Sequence, residues 1–205
     1  MAEGWMKSQK RDLDSIRLAV VDEALQLIYL TLESVEEYSE DESHKRIVAP
    51  KRCPNCRTTG RLKALGYYPR YTTRFKAGTL KIQIRRFRCF ACRRTTSFLP
   101  SFLQPYRFVL NETIEAYMDG NLNRPDVLRS ADRLKRYGQQ YIHWLPELRL
   151  HLRTPLRHLT NRAAEAVWKT LLRWGGGLTL TTLLLTRDHQ ITMFGQYRCH
   201  LPNPP

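Results

Sequence analysis

Hydrophobic positions along the chain recur with two different periods, and the changes between them mark its elements. From Asp12 to about Tyr38, residues Leu18, Val21, Leu25, Ile28, Leu32 and Val35 follow steps of three and four. That spacing predicts an amphipathic helix, which Asp12 or Asp14 can cap. An acidic cluster (Glu36, Glu37, Glu40, Asp41, Glu42) then runs into a polar linker, Ser43 to Pro50. Over residues 51–100 the period becomes two. Thr79 to Arg85 places Leu80, Ile82 and Ile84 on one face and Lys81, Gln83 and Arg85 on the other. Leu62–Tyr68 and Arg70–Phe75 supply companion strands, with a turn at Ala77-Gly78.

After Pro100 and Pro105 the helical period returns. Asn111 to Met118 is predicted as a helix ended by Asp119-Gly120, and Pro125 to Tyr137 as a second, with Val127, Leu128, Ala131 and Leu134 as its stripe. Gly138 is expected to stop that helix and Gln139 to Leu145 to start a third, which is the outline of a helix-turn-helix. A further helix is expected over Pro155–Arg173, halted by Gly175-Gly176-Gly177, and Leu178–Leu185 reads as an apolar strand. The fold class is therefore α+β: an N-terminal amphipathic helix, a small antiparallel ribbon and a helix-turn-helix-like bundle. The boundaries fall at 1–50 (helix and acidic linker), 51–105 (ribbon), 106–150 (helix-turn-helix-like segment) and 151–205 (C-terminal helix and strand).

Charge changes this picture. The 205 residues carry a net charge of +15, but unevenly. Residues 1–50 hold 6 basic and 11 acidic side chains, whereas residues 51–110 hold 15 basic ones and no Asp or Glu. A solvated surface normally mixes signs, so sixty residues without a carboxylate point to an anionic partner, and nucleic acid is the commonest. No run approaches the length of a membrane span and the start is not a signal peptide, so a cytoplasmic, nucleoid-associated protein with no membrane partner is expected.

Cys53-Pro54-Asn55-Cys56 and Cys89-Phe90-Ala91-Cys92 are C-x-x-C pairs separated by 32 residues. Two thiolates three positions apart on a tight turn can both reach an ion at about 2.3 Å, and two such turns complete a tetrahedron. Strands running out from Cys56 and back to Cys89 bring the turns together. One structural zinc ion is expected on Cys53, Cys56, Cys89 and Cys92, with no open position for chemistry. Redox chemistry would need a thioredoxin-like βαβ context, which is absent, and a reducing cytosol disfavours disulfides. Cys199-His200 would need further partners, which the sequence does not name, to make a second site, and is read as incidental.

The order Cys-Pro-x-Cys, basic ribbon, Arg86-Phe87-Arg88-Cys89-x-x-Cys92, Phe98-Leu99-Pro100 and Pro105-Tyr106-Arg107 before a helical hairpin resembles the amino-terminal DNA-binding region of bacterial insertion-sequence transposases of the DDE type. It also resembles short stand-alone relatives of that region. The likeness covers roughly Arg52 to Leu150. It implies a zinc-dependent ribbon that helps grip DNA beside a helix-turn-helix, and an origin in a mobile element. Two features depart from it. Arg57 and Arg93 replace the glycine that usually follows each second cysteine, and no catalytic domain follows. After Leu150 the only acids are Glu165 and Asp188, too few for a two-metal nuclease.

The residues and the resemblance together predict a non-enzymatic zinc-ribbon DNA-binding protein from a transposition, integration or defence locus. Lys81, Arg85, Arg86, Arg88, Arg93 and Arg94 are expected on phosphates, and Gln139, Gln140 and His143 on base edges. Two rivals stay open. Tyr67, Tyr68, Tyr71, Phe75, Phe87 and Phe90, interleaved with arginine, suit RNA or single-stranded DNA. An adaptor would instead tether a recombinase, nuclease or reverse transcriptase from the same locus to nucleic acid. Residues 18–35 can pack on their own protein or pair two copies as a homodimer, although two and a half heptads are short for a coiled coil.

Overall fold

A computed structural model describes residues 26–73, 78–105, 107–152 and 163–196. The first element is a strand, β1 (Gln26–Tyr29), followed by a short helix, α1 (Val35–Glu40). Three strands come next: β2 (Leu62–Thr73), β3 (Thr79–Cys89) and β4 (Thr95–Pro100). Five helices follow: α2 (Asn111–Met118), α3 (Pro125–Arg129), α4 (Ala131–His151), α5 (Ala164–Gly175) and α6 (Leu178–His189). A minimal hairpin, β5 (Ile191–Thr192) with β6 (Gly195–Gln196), ends the described chain.

The ribbon is the expected antiparallel β2–β3 hairpin, with β4 antiparallel to β3. The two companion strands of the sequence reading are one strand, β2, with a bulge between Ala64 and Gly66. Strand β1 adds itself parallel to β4, pairing Leu27 with Phe98, so the sheet order is β1-β4-β3-β2. This corrects the helix expected through Tyr38. Leu27 and Ile28 are neighbours that both need burial, on opposite faces, and a strand satisfies both at once. A helix begins after Ser34, whose side chain and that of Glu37 form a capping box. Of the stripe proposed for pairing two copies, Ile28 and Val35 lie in the protein's own core while Leu32 is 78% exposed. Leu18, Val21 and Leu25 lie outside the described residues.

The sheet changes its buried face along its length. Toward the hairpin tip, Ile82 and Ile84 pack with Leu99, Leu103, Leu110 and Val35. Toward the cysteines, Phe87 packs on the opposite face with Phe98, Leu27 and Ile47. The switch falls at Arg85-Arg86, where the alternation of β3 slips by one. Tyr38 closes the side of the sheet, donating from its hydroxyl to the carbonyl of Gln83 at 3.3 Å.

The helices share one core that runs from Val109 to Phe194, built on Leu134, Tyr141, Leu145, Trp168, Leu171 and Leu185. Tyr141 meets Trp168 edge-on at 5.5 Å, and the indole N–H donates to the Asp119 carboxylate at 3.1 Å. Residues on both sides of position 150 therefore belong to the same packed unit. The expected helix α2 has its predicted bounds, but the break expected at Gly138 is not there. The chain breaks at Ser130 instead, and α4 runs unbroken through both Gly138 and Pro146. A glycine costs a helix only about 1 kcal/mol against alanine, which burial of Leu134, Tyr137, Tyr141 and Leu145 on a single stripe outweighs.

The strand expected over Leu178–Leu185 is also corrected, to helix α6. Its threonines favour strands, yet Thr181 and Thr186 donate back to the carbonyls of Gly177 and Thr182 at 2.8 and 2.6 Å. Those bonds let hydroxyls be buried inside a helix. Of the helix expected over Pro155–Arg173, Ala164 onward forms α5; residues 153–162, like Cys199-His200, lie outside the described residues.

Candidate metal centre and basic surface

Each C-x-x-C pair sits on a tight turn that reverses the chain. In the first, the N–H of Arg57 donates to the Cys53 carbonyl at 2.9 Å and that of Cys53 to the Thr58 carbonyl at 3.0 Å. In the second, the N–H of Cys89 donates to the Arg94 carbonyl at 2.9 Å. Both turns require a left-handed residue, and they place Arg57 (φ 59°) and Arg93 (φ 60°) there. These are the two positions at which the sequence departs from the glycine that the resemblance implies. Arginine fills them at a conformational cost of roughly 1–2 kcal/mol each. Arg94 then ties the turns together, donating to the Asn55 side chain at 2.8 Å.

The result brings all four sulfurs within 4.8 Å of one another. Cys53 and Cys92 are 3.8 Å apart and Cys56 and Cys89 3.7 Å. Sulfurs placed tetrahedrally about an ion at 2.3 Å would be about 3.8 Å apart. Disulfide sulfurs, at about 2.05 Å, would be far closer. The four thiols can therefore hold one metal ion, and the set is compatible with structural zinc. Burial pushes the Cys53 thiol above its ordinary value, against the pull of the Cys56 and Asn55 backbone N–H groups. A hydrogen bond with the Thr58 side chain holds Cys56 low, so this thiol is predisposed to the anionic form a ligand needs.

The six cations expected on phosphates do not share a face. Register places Lys81 and Arg85 on one side of β3 and Arg86 and Arg88 on the other. Lys81, Arg88 and Arg93 are exposed. Arg85 is half-buried, with its guanidinium 4.6 Å from the Tyr67 ring and 5.2 Å from Phe87. Arg86 lies 5.4 Å from Tyr68, and Arg94 is engaged by Asn55. Arg85 and Arg86 thus cover the sheet at the point where its buried face switches. Among the described residues no carboxylate pairs with any of these six. Lys63, which the sequence reading passed over, joins the exposed set 5.4 Å above the Phe90 ring.

Of the interleaved aromatics, Phe87 is core, whereas Tyr71 (56%) and Phe90 (60%) are exposed; Phe75 lies outside the described residues. Gln139, Gln140 and His143 are exposed along the middle of α4 rather than opening a helix of their own. Gln140 accepts a hydrogen bond from Arg107 at 2.6 Å. Among the described residues no helix is long and apolar enough to cross a membrane.

With both turns, the hairpin and the first helices in place, the comparison with known families has a clear reach. Residues 39–137 match the model of a family described as a domain of unknown function, DUF6431. The match takes in all four cysteines, the hairpin, α2, α3 and the first two turns of α4. Its description names no activity. No curated protein and no solved structure matches the chain.

Proposed function

We propose that this chain is a non-catalytic DNA-binding protein whose ribbon is folded by one zinc ion and grips the phosphate backbone. One observation carries the reading. Lys63, Lys81, Arg88 and Arg93 are exposed on an element that has no carboxylate from residue 51 to residue 110. Thiolates are soft ligands suited to zinc, and four of them leave no position for water or substrate, so the ion's role is to fold the ribbon. Zinc binding is worth roughly 10–16 kcal/mol in small peptides, enough to hold a ribbon whose cysteine end has little core of its own. An origin in a mobile element, and a catalytic partner from the same locus, rest on the resemblance of Arg52–Leu150 alone.

Exposed Tyr71 and Phe90 favour a second reading, a single strand stacked on those rings. Titrating the zinc-loaded protein against random duplex DNA, single-stranded DNA and RNA at two salt concentrations separates the two. The proposal expects duplex binding that weakens steeply with salt. A ten-fold preference for either single strand would replace duplex with single-strand recognition, and no binding to any of the three would refute both.

A further inference from the structure

A second basic site lies at the other end of the ribbon, in a cleft of about 600 Å³ between the last residue of β2, the first of β3 and the junction of α3 and α4. Thr73 and Thr79 form one wall; Arg129, Ser130, Asp132, Arg133 and Arg136 form much of the other. The two walls are joined where the hydroxyls of Ser130 and Thr73 stand 3.3 Å apart. Among the described residues that line the cleft, three are arginines and one, Asp132, is a carboxylate. Arg129, Arg133 and Arg136 are exposed, and they continue in steps of three and four to Gln140 and His143. Arg129 ends α3, and from Arg133 to His143 the stripe runs along an exposed flank of α4, beside the buried Leu134, Tyr137 and Tyr141.

An exposed ring extends the site. Phe108 is 55% exposed, 5.9 Å from the Arg133 guanidinium and 5.7 Å from that of Arg70. Arg70 is only 6% exposed and has no carboxylate among the described residues. One of its nitrogens donates to the Gln104 carbonyl at 3.0 Å, while its Nε has no hydrogen-bond partner among the described residues. Cations gathered around an open aromatic ring, beside a cleft, suit a chain of phosphates and bases.

We infer that this cleft is a second nucleic-acid contact, in which Arg129, Arg133 and Arg136 take phosphates of the same molecule held by the cysteine end of the ribbon. The inference rests on the DNA-binding reading above. Strand β3 sets the distance between the contacts, since nine steps from Thr79 to Arg88 span about 30 Å. At about 3.4 Å per base pair, a duplex shorter than about nine base pairs cannot reach both ends.

The test measures affinity for duplexes of 6 to 20 base pairs, with the wild-type protein and with R129Q/R133Q/R136Q. Wild type is expected to gain affinity as the duplex lengthens past about nine base pairs, and the triple variant to lose that gain. On the longest duplex the variant should bind on the order of ten-fold more weakly. Its salt slope should fall by about one per lost phosphate contact. Zinc content and helical circular dichroism report whether the variant folds, and the single charge reversal R133E gives the same reading with less disturbance. Arg173→Gln, on α5, is the control and should change nothing. If wild type binds duplex and both cleft variants match it in slope and length dependence, the cleft plays no part and only this inference falls. If wild type binds no nucleic acid, the DNA-binding reading falls and takes the cleft with it.

Discussion

The ribbon and the helical bundle reach order by different physics. The bundle is held by apolar burial, with Trp168, Tyr141, Leu134 and Phe194 all about 1% exposed or less. The cysteine end of the ribbon has only the small group around Phe87 and Phe98, and two turns held in left-handed conformations by arginines. The region with the weaker core is also the one whose own sequence, residues 51 to 110, contains no carboxylate. Like charges crowded on a small element disfavour its folding, and a metal ion on the four thiols would offset that cost without covering the surface. A core large enough to do the same would have buried the positions that Lys63, Arg88 and Arg93 occupy.

The contrast can be broken most severely at the metal. Chelating the zinc, or replacing Cys56 with Ser, should abolish amide protection over residues 51–100 while residues 164–189 stay protected. Hydrogen exchange followed by mass spectrometry reads both regions at once. Uniform loss across the chain would mean that the two regions do not fold separately. Trp168→Ala is the converse experiment. It should cost the bundle about 3–5 kcal/mol in urea unfolding and leave one zinc bound. Gly175→Ala should cost about 1–3 kcal/mol, because its Cβ would stand 2.7 Å from the Cα and 2.8 Å from the nitrogen of Thr181 where α5 meets α6.

Three smaller changes should stabilise. Gly138→Ala should add about 0.5–1 kcal/mol, since the new methyl would only touch Tyr117 at 3.5 Å and Met118 at 3.8 Å. Were Gly138 the turn of a helix-turn-helix, the same change would destabilise. Arg57→Gly and Arg93→Gly should each relieve a left-handed arginine and slow zinc loss to a chelator a few-fold. Faster loss would show that the arginine side chains themselves hold the turns.

These tests also mark what the sequence could say. The four cysteines were legible because a metal site imposes ligand type and spacing directly. Helix α2 and the β2–β3 hairpin were legible because their periods are clean. Leu27-Ile28 was not, because its strand exists only through pairing with β4, whose partner residues lie seventy-one positions away in sequence. Gly138 and the threonines of α6 misled for a related reason. Local preference favoured a break and a strand, and tertiary burial of Leu134, Tyr141, Leu183 and Leu185 overrode both. The charge of the ribbon was plain, but its distribution was not. The slip in alternation at Arg85-Arg86, which splits the cations between two faces, is visible in Ile84-Arg85-Arg86-Phe87 once read as a change of buried side. Arg129, Arg133 and Arg136 also follow a visible spacing, hidden by the expectation that a helix ended just beyond them.

The most direct test of the central claim is the salt dependence of duplex binding by the zinc-loaded protein, against that of K81Q/R88Q/R93Q. All three side chains are exposed, and among the described residues none makes a hydrogen bond or ion pair that holds the sheet. If the ribbon grips the backbone, the variant binds more weakly on every sequence, with a slope of log affinity against log salt lower by about 0.9 for each lost contact, so by up to about 2.7. A variant that keeps its zinc, weakens in no sequence and shows the wild-type slope would contradict the account.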